Sequence, residues 1–210
     1  MTAPTPEPWT PPNRLPGPIG TDRLTLRWFE PSDAAGLHEA VDSSRADCLP
    51  WLTWAATGHA TPADSRTAIN NLARMRVEGA DFTLGIFDRA TGRALGGTGL
   101  HRPKPESHTA EIGSWLRSDA RGGGMCTEAV RHLISSAFTP QTKGGFGLRR
   151  LEVFCAAPNT ASSAVPARLG LGEPCRLRAE RWVDTIGWAD SLAWDLLSSE
   201  WDAATHTHIG

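Results

Sequence analysis

Arg121-Gly122-Gly123-Gly124-Met125-Cys126-Thr127-Glu128-Ala129 sets three consecutive glycines at the mouth of an amphipathic helix, and the fold follows from it. Upstream, Ala110-Glu111-Ile112-Gly113-Ser114-Trp115-Leu116 alternates like a strand. Downstream, Ala129, Val130, Leu133, Ile134, Ala137 and Phe138 recur on one face at helical spacing. A strand that runs through glycines into a helix aims several free backbone N–H groups at one point, with the positive end of the helix dipole behind them. That arrangement is an anion site and suits phosphate. Glycine is useful there because a side chain would hold the phosphate oxygens away from the backbone.

Two familiar phosphate loops are excluded. No Gly-Lys-Ser/Thr follows the glycines, so the stretch is not a P-loop. It also lies mid-chain and reads GGGMCT, without the G-x-G-x-x-G of a first βα turn. The spacing Arg-x-x-Gly-x-Cys instead resembles the acyl-CoA pyrophosphate loop, Arg/Gln-x-x-Gly-x-Gly/Ala, of the GCN5-related N-acetyltransferases (GNAT). The order of features around it strengthens the likeness. Thr21-Asp22-Arg23-Leu24-Thr25-Leu26-Arg27 resembles that family's opening strand and Pro31-Ser32-Asp33-Ala34 its first helix cap. Asn159-Thr160-Ala161-Ser162 and Arg168-Leu169-Gly170-Leu171 resemble its Asn-x-x-Ser and Leu-Gly-Phe segment. Leu49-Pro50-Trp51-Leu52-Thr53-Trp54, Ala110-Glu111-Ile112-Gly113 and Glu200-Trp201 are similar to the RimJ/RimL-type ribosomal-protein N-terminal acetyltransferases. The resemblance runs over roughly residues 18–201.

Composition narrows the alternatives. A chain of 210 residues fits one domain with a core of its own. The expected division is a Pro-rich tail over 1–19, one domain over 20–203 and a short tail over 204–210. A net charge of −2 gives no basic footprint for nucleic acid. No apolar run approaches the ~20 residues that span a bilayer, and the start of the chain lacks the regions of a signal peptide. The four cysteines show neither C-x-x-C pairing nor metal spacing, so reduced thiols in a cytoplasm are expected.

The hydrophobic pattern predicts the order β-α-α-β-β-β-α-β-α-β-β. Leu24–Trp28 alternates as a strand and Ser32 or Asp33 caps a helix to about Asp42. Cys48–Ala60 reads as a tryptophan-bearing loop, and Thr61-Pro62-Ala63-Asp64 opens the next helix. Phe82–Phe87, Ala94–Leu100, Thr109–Leu116 and Leu151–Ala156 read as strands, and Leu177–Val183 with Leu192–Leu197 as a closing hairpin. Thr139–Gly147 reads as a loose connection. This order suits the GNAT α/β fold: a mixed central sheet of about seven strands, splayed at the cofactor strand, with about four helices.

The resemblance implies site roles residue by residue. Acetyl-CoA is the implied donor, with its pantetheine arm along Thr109–Leu116, its backbone partners at Trp115 and Leu116, and a bulge permitted by Gly113. The diphosphate falls to Arg121, Gly122, Gly123, Gly124, Met125, Cys126 and Thr127. Arg121 either touches phosphate or caps the strand end, and Thr127 either donates its hydroxyl or completes the first turn. Asn159 is placed to fix the pantetheine arm and also to cap a helix. Ser162 either donates a hydrogen bond to the leaving thiolate or is a solvated first-turn serine, and Glu111 either accepts a proton through water or serves as a structural carboxylate. His101 and His108 are nearby alternatives that read more simply as loop histidines. Trp51 and Trp54 form either an aromatic wall for the acceptor or a lid packed on the core.

Three departures qualify this picture. The chain has no tyrosine, so the general acid common in the superfamily is missing. Cys126 stands where the family wants glycine or alanine, as a small buried residue or as a thiol activated by the helix N-terminus. Pro166 falls inside the helix that begins near Asn159 and should kink or shorten it. The leading expectation is an N-acetyltransferase acting by direct attack of an amine, on a protein N-terminus or a small molecule, as a monomer or homodimer. The alternative is a catalytically silent CoA-binding or sensor protein.

Overall fold

The computed structural model describes residues 7–13, 15–202, 205 and 207–208. The chain begins with strands β1 (Ile19–Gly20) and β2 (Leu24–Trp28), then helices α1 (Ala34–Asp42), α2 (Arg45–Cys48), α3 (Trp54–Thr57) and α4 (Pro62–Val77). Strands β3 (Asp81–Asp88), β4 (Ala94–Lys104) and β5 (Thr109–Leu116) lead into α5 (Met125–Phe138). After β6 (Arg150–Ala156) and α6 (Thr160–Arg168), β7 (Cys175–Val183) and β8 (Gly187–Leu197) close the fold. A separate ladder joins β9 (Trp201–Asp202) to β10 (Thr207–His208). Within 204–210, only Thr205, Thr207 and His208 are among the described residues.

One eight-stranded sheet runs in the order β1-β2-β3-β4-β5-β6-β8-β7. It has one strand more than expected, because the two-residue β1 pairs on the outer edge of β2. Six helices replace the expected four. The extra two are single turns: α2 ends where the tryptophan-bearing segment begins, and α3 lies within it. The start of α4 follows its signature: the Asp64 N–H donates to Thr61 Oγ1 at 3.2 Å and the Thr61 N–H to Asp64 Oδ2 at 2.9 Å.

Helices cover both faces. On one, α5 buries Ala129, Val130, Leu133, Ile134 and Ala137 against Leu24, Leu26, Ile112 and Leu151. Truncating Leu133, fully enclosed there, to alanine should cost about 2–5 kcal/mol. On the other, α1 and α4 pack Leu37, Val41 and Ile69 over Phe29 and Phe87. Trp9, which the proline-rich reading assigned to a tail, is buried and donates its indole N–H to the Phe146 carbonyl at 2.8 Å. Its ring and that of Phe146 both meet Phe82 edge-on. The Thr139–Gly147 connection is therefore anchored by Phe146 rather than loose.

The sheet is antiparallel except between β5 and β6, which are parallel and joined by α5. Their pairing runs only from Thr109↔Arg150 to Ile112↔Val153. Beyond it, β5 stays with β4 as far as Leu116↔Gly96, and β6 stays with β8 as far as Ala156↔Ser191. Each strand follows its outer neighbour, so the two part like a V. Gly113 permits a bulge, but the strand does not take one there: its register with Gly99 is continuous. Gly113 is needed for another reason: a Cβ there would lie 2.9 Å from the His101 ring.

Candidate active site

A cleft of about 460 Å³ occupies the V and runs to the start of α5. At that end Gly122 and Gly124 sit at φ +81° and +78°, the left-handed region that glycine enters without strain. A Cβ at Gly122 would meet nothing within 4 Å, so conformation rather than space selects glycine there. Among the described residues, no protein acceptor meets the N–H groups of Gly122, Gly123, Gly124, Met125, Cys126 or Thr127. Thr127 lines the same cleft, and its buried hydroxyl oxygen also lacks a partner. Leaving such a group unpaired costs about 1–3 kcal/mol, which a bound phosphate oxygen would relieve. The donors present thus fit a diphosphate.

The loop is held from behind by residues that sequence reasoning missed as a unit. Arg23 donates to the Gly123 carbonyl at 2.8 Å and pairs with Glu128 at 2.6 Å. Glu128 also accepts from the Arg23 N–H and the Thr21 hydroxyl. Burial would raise the Glu128 carboxyl, but Thr21 and Arg23 outweigh it and hold the group below the usual carboxylate range. Because Arg23 draws the Gly123 carbonyl to itself, the loop keeps its amides for the cleft. Gly123 is accordingly absent from the cleft lining, while Gly122 and Gly124 belong to it.

Arg121 lines the cleft and also braces the strand that leads into it. Its Nε donates to the Leu116 carbonyl at 3.0 Å and its Nη1 approaches Asp47 at 3.3 Å, so it caps the end of β5. The Cys126 thiol donates to Ser114 Oγ at 3.3 Å. Burial pushes this thiol up, outweighing Ser114, Arg121 and Arg168, so it is not an activated thiolate. Met125, Trp115 and Leu116 line the cleft as expected.

Across the V, Asn159 caps α6 by accepting from the Ser162 N–H at 3.1 Å. Asn159 and Ser162 both line the cleft. Pro166 lies inside α6, which stays short at nine residues, and is buried against the cleft. Cys155 stands near Ser162, and burial pushes its thiol up against the opposing pull of Ser162 and Arg181.

The acceptor side is less as expected. Glu111 lines the cleft but is bound by Arg102, whose Nε donates to it at 3.0 Å, which favours a structural carboxylate. His101 bonds Asp81 at 2.7 Å, and His108 meets the Glu7 carbonyl at 2.6 Å; neither lines the cleft. Trp51 lines it and packs with Ala156, Val183 and Ala189. Trp54 does not: it stacks edge-on against Trp115 at 5.5 Å and stays partly exposed. Two tryptophans three residues apart thus meet different surroundings, Trp51 the cleft and Trp54 the ring of Trp115. Arg181, Cys48 and Cys155 also line the cleft, and no local signal marked them.

A parallel strand pair opening beside a glycine-introduced helix is the architecture of the GNAT acyltransferases, and fold and cleft together define this class. The chain belongs to the GNAT acetyltransferase family: a family model described as an acetyltransferase (GNAT) domain matches residues 23–172. Over 181 residues the chain is 28% identical to the putative ribosomal N-acetyltransferase YdaF of Bacillus subtilis (strain 168), covering 86% of this chain and 94% of that one. A solved probable acetyltransferase superposes with a TM-score of 0.77 at 28% identity, over 88% of this chain and 98% of its own. Mycobacterium smegmatis RimJ in complex with CoA-disulfide also gives 0.77, at 23% identity and 93% coverage of each chain, a likeness of fold. The family resemblance is borne out, and the B. subtilis relative carries a ribosomal N-acetyltransferase name. No helix among the described residues is long and apolar enough to cross a membrane.

Proposed function

We propose that this N-acetyltransferase moves an acetyl group from acetyl-CoA to a primary amine by direct attack, with a protein N-terminal α-amine as the leading acceptor class. One observation carries the reading: from Gly122 to Thr127 six amides and the Thr127 hydroxyl have no protein partner among the described residues, and five of those six residues line the cleft. Bound acetyl-CoA supplies the thioester. Loop amides and Thr127 bind its diphosphate. The edge of β5 beyond Ile112, free of β6, offers Trp115 and Leu116 main chain to the pantetheine arm. Asn159 steadies that arm while capping α6, and the Ser162 hydroxyl donates to the departing sulfur. With no tyrosine in the chain, no phenol competes for that role.

The acceptor class follows from proton chemistry. An α-amine with a pKa near 8 is about one-quarter neutral at pH 7.5, whereas lysine near 10.4 is almost wholly protonated. An α-amine needs little help from a base, which suits a site whose Glu111 is engaged by Arg102. The ribosomal N-acetyltransferase name of the B. subtilis relative supports a protein acceptor. The free cysteines support a cytoplasmic setting. The same Glu111–Arg102 pair favours one competing reading, a silent CoA-binding protein. Calorimetry with CoA, followed by thiol release on a panel of peptide and small-molecule amines, separates the two. Turnover on one acceptor supports the transferase. Binding with no turnover on any acceptor supports the silent protein, and no binding of CoA defeats both.

A further inference from the structure

We propose that Arg181 forms a carboxylate-binding subsite at the acceptor end of the cleft, so that the preferred acceptor carries an acidic group close to its amine. This rests on the transferase reading above and names the substrate class it leaves open. Arg181 lines the cleft, yet its nearest carboxylate is the adjoining Glu180 at 4.0 Å. Glu180 already accepts from the buried Ser191 hydroxyl at 2.6 Å. Of the other cations that line the cleft, Arg121 is engaged by the Leu116 carbonyl and Asp47, and the charge of Arg168 acts at Cys126, at the α5 end. Arg181 is left with a planar fork of donors facing the cavity, the geometry that holds a carboxylate.

Local structure aims it there. Between Leu177↔Ser191 and Arg181↔Ala189, three residues of β7 face only Asp190 of β8, which makes a wide bulge. Ala179 lies within it at φ +46°, a strained value for a residue with a Cβ. Asp190 fixes the bulge by accepting from the Ala179 N–H at 2.9 Å and from Arg176 at 2.8 Å. Bulges beside active sites characteristically re-aim a side chain. By strand alternation Arg181 shares its face with Val183, which packs on Ala156, Ala189 and Trp51, the acceptor wall. Its charge is also felt at Cys155, beside Ser162, which places it near the reacting end.

The test measures kcat/KM with acetyl-CoA for peptides beginning Ser-Glu, Ser-Gln and Ser-Lys, and repeats the Ser-Gln series with succinyl-CoA. Wild type, Arg181→Gln and Arg181→Glu are compared, with calorimetric CoA affinity reporting that each is folded. Wild type should prefer Ser-Glu over Ser-Gln about tenfold, the scale of one charge-assisted hydrogen bond, mainly through KM. Arg181→Gln should level the series, and Arg181→Glu should reverse it in favour of Ser-Lys. Equal rates on all three peptides, or an order that Arg181→Glu leaves unchanged, would overturn the subsite while leaving the transferase standing. An Arg181-dependent preference for succinyl-CoA would overturn the acceptor assignment by giving the carboxylate to the donor. No transfer to any amine, with CoA still bound, would overturn the transferase and this inference together.

Discussion

At its α5 end the cleft is made of main chain, whereas at its β7 end it is made of side chains drawn from separate elements. The first end is one continuous stretch, Arg121 to Thr127, whose donors are amides. The second needs Trp51 from the segment between α2 and α3, Glu111 from β5 and Arg181 from β7. Every residue but proline carries the same amide, so an end built of main chain can serve one ligand across sequences that keep its backbone conformation. Side chains change with every substitution, so the second end is where one member of a fold differs from the next. Cofactor binding and acceptor choice should therefore respond to different substitutions.

The largest effect expected is on the main-chain end. Gly124 initiates α5 at φ +78°, where an L-residue is disfavoured by roughly 1–2 kcal/mol and a β-branched one by more. Gly124→Val should rotate the first amides out of convergence and weaken CoA about a hundredfold by calorimetry, near 2.7 kcal/mol. Normal affinity in this variant would mean that side chains, not amides, carry the diphosphate, and the contrast between the ends would collapse. Next, Ser162→Ala should lower kcat by about thirtyfold, less than a full general-acid contribution because water can enter, with CoA affinity unchanged. A parallel loss of affinity would instead assign Ser162 to holding the arm through α6.

Glu128→Gln probes the brace behind the loop and should weaken CoA about tenfold by releasing Arg23 from Gly123. Its pH dependence has a definite sign. The folded carboxyl lies below its ordinary value of 4.5, so its stabilisation is present above that pH and is lost as pH falls through the folded value. The stability gap between wild type and Glu128→Gln should thus narrow in chemical denaturation below about pH 4.5, and a constant gap would disprove the linkage. Thr127→Val should act in two directions. The apo protein should gain up to about 1 kcal/mol from losing an orphaned buried hydroxyl, while CoA binds about fivefold more weakly. Loss of both stability and affinity would show that the hydroxyl already has a partner.

The same division explains what could be read from sequence. Thr109–Leu116, the glycine turn and the Asn159 cap are local: alternation, a positive-φ requirement and a capping side chain each fall within a few residues. Arg23 and Glu128 lie 105 positions apart, and no short-range pattern links them. The bulge at Ala179 is invisible because it carries no glycine to announce its backbone. Prolines around Trp9 read as an extended lead-in, yet one indole finds the Phe146 carbonyl and enters the core. In the segment before α4, sequence offered Trp51 and Trp54 the same pair of readings, an aromatic wall or a packed lid. Only tertiary packing decides that Trp51 meets Ala156 while Trp54 meets Trp115.

Cys126 supplies the finest test, because two opposing effects meet on one atom. A helix N-terminus stabilises a thiolate, and Arg121 and Arg168 pull the same way. Burial opposes them and wins, so the thiol stays protonated at neutral pH behind Ser114. Exposed Cys175 provides the internal reference. With iodoacetamide at pH 7.5, Cys175 should be carboxamidomethylated well before Cys126, and the Cys126 rate should keep climbing above pH 9, as peptide mass spectrometry can follow. CoA should slow Cys126 further without altering Cys175, since only Cys126 lines the cleft. If Cys126 instead reacts as fast as Cys175 at pH 7.5, the loop opens to water often enough for the dipole to prevail. The main-chain end would then be as adaptable as the side-chain end.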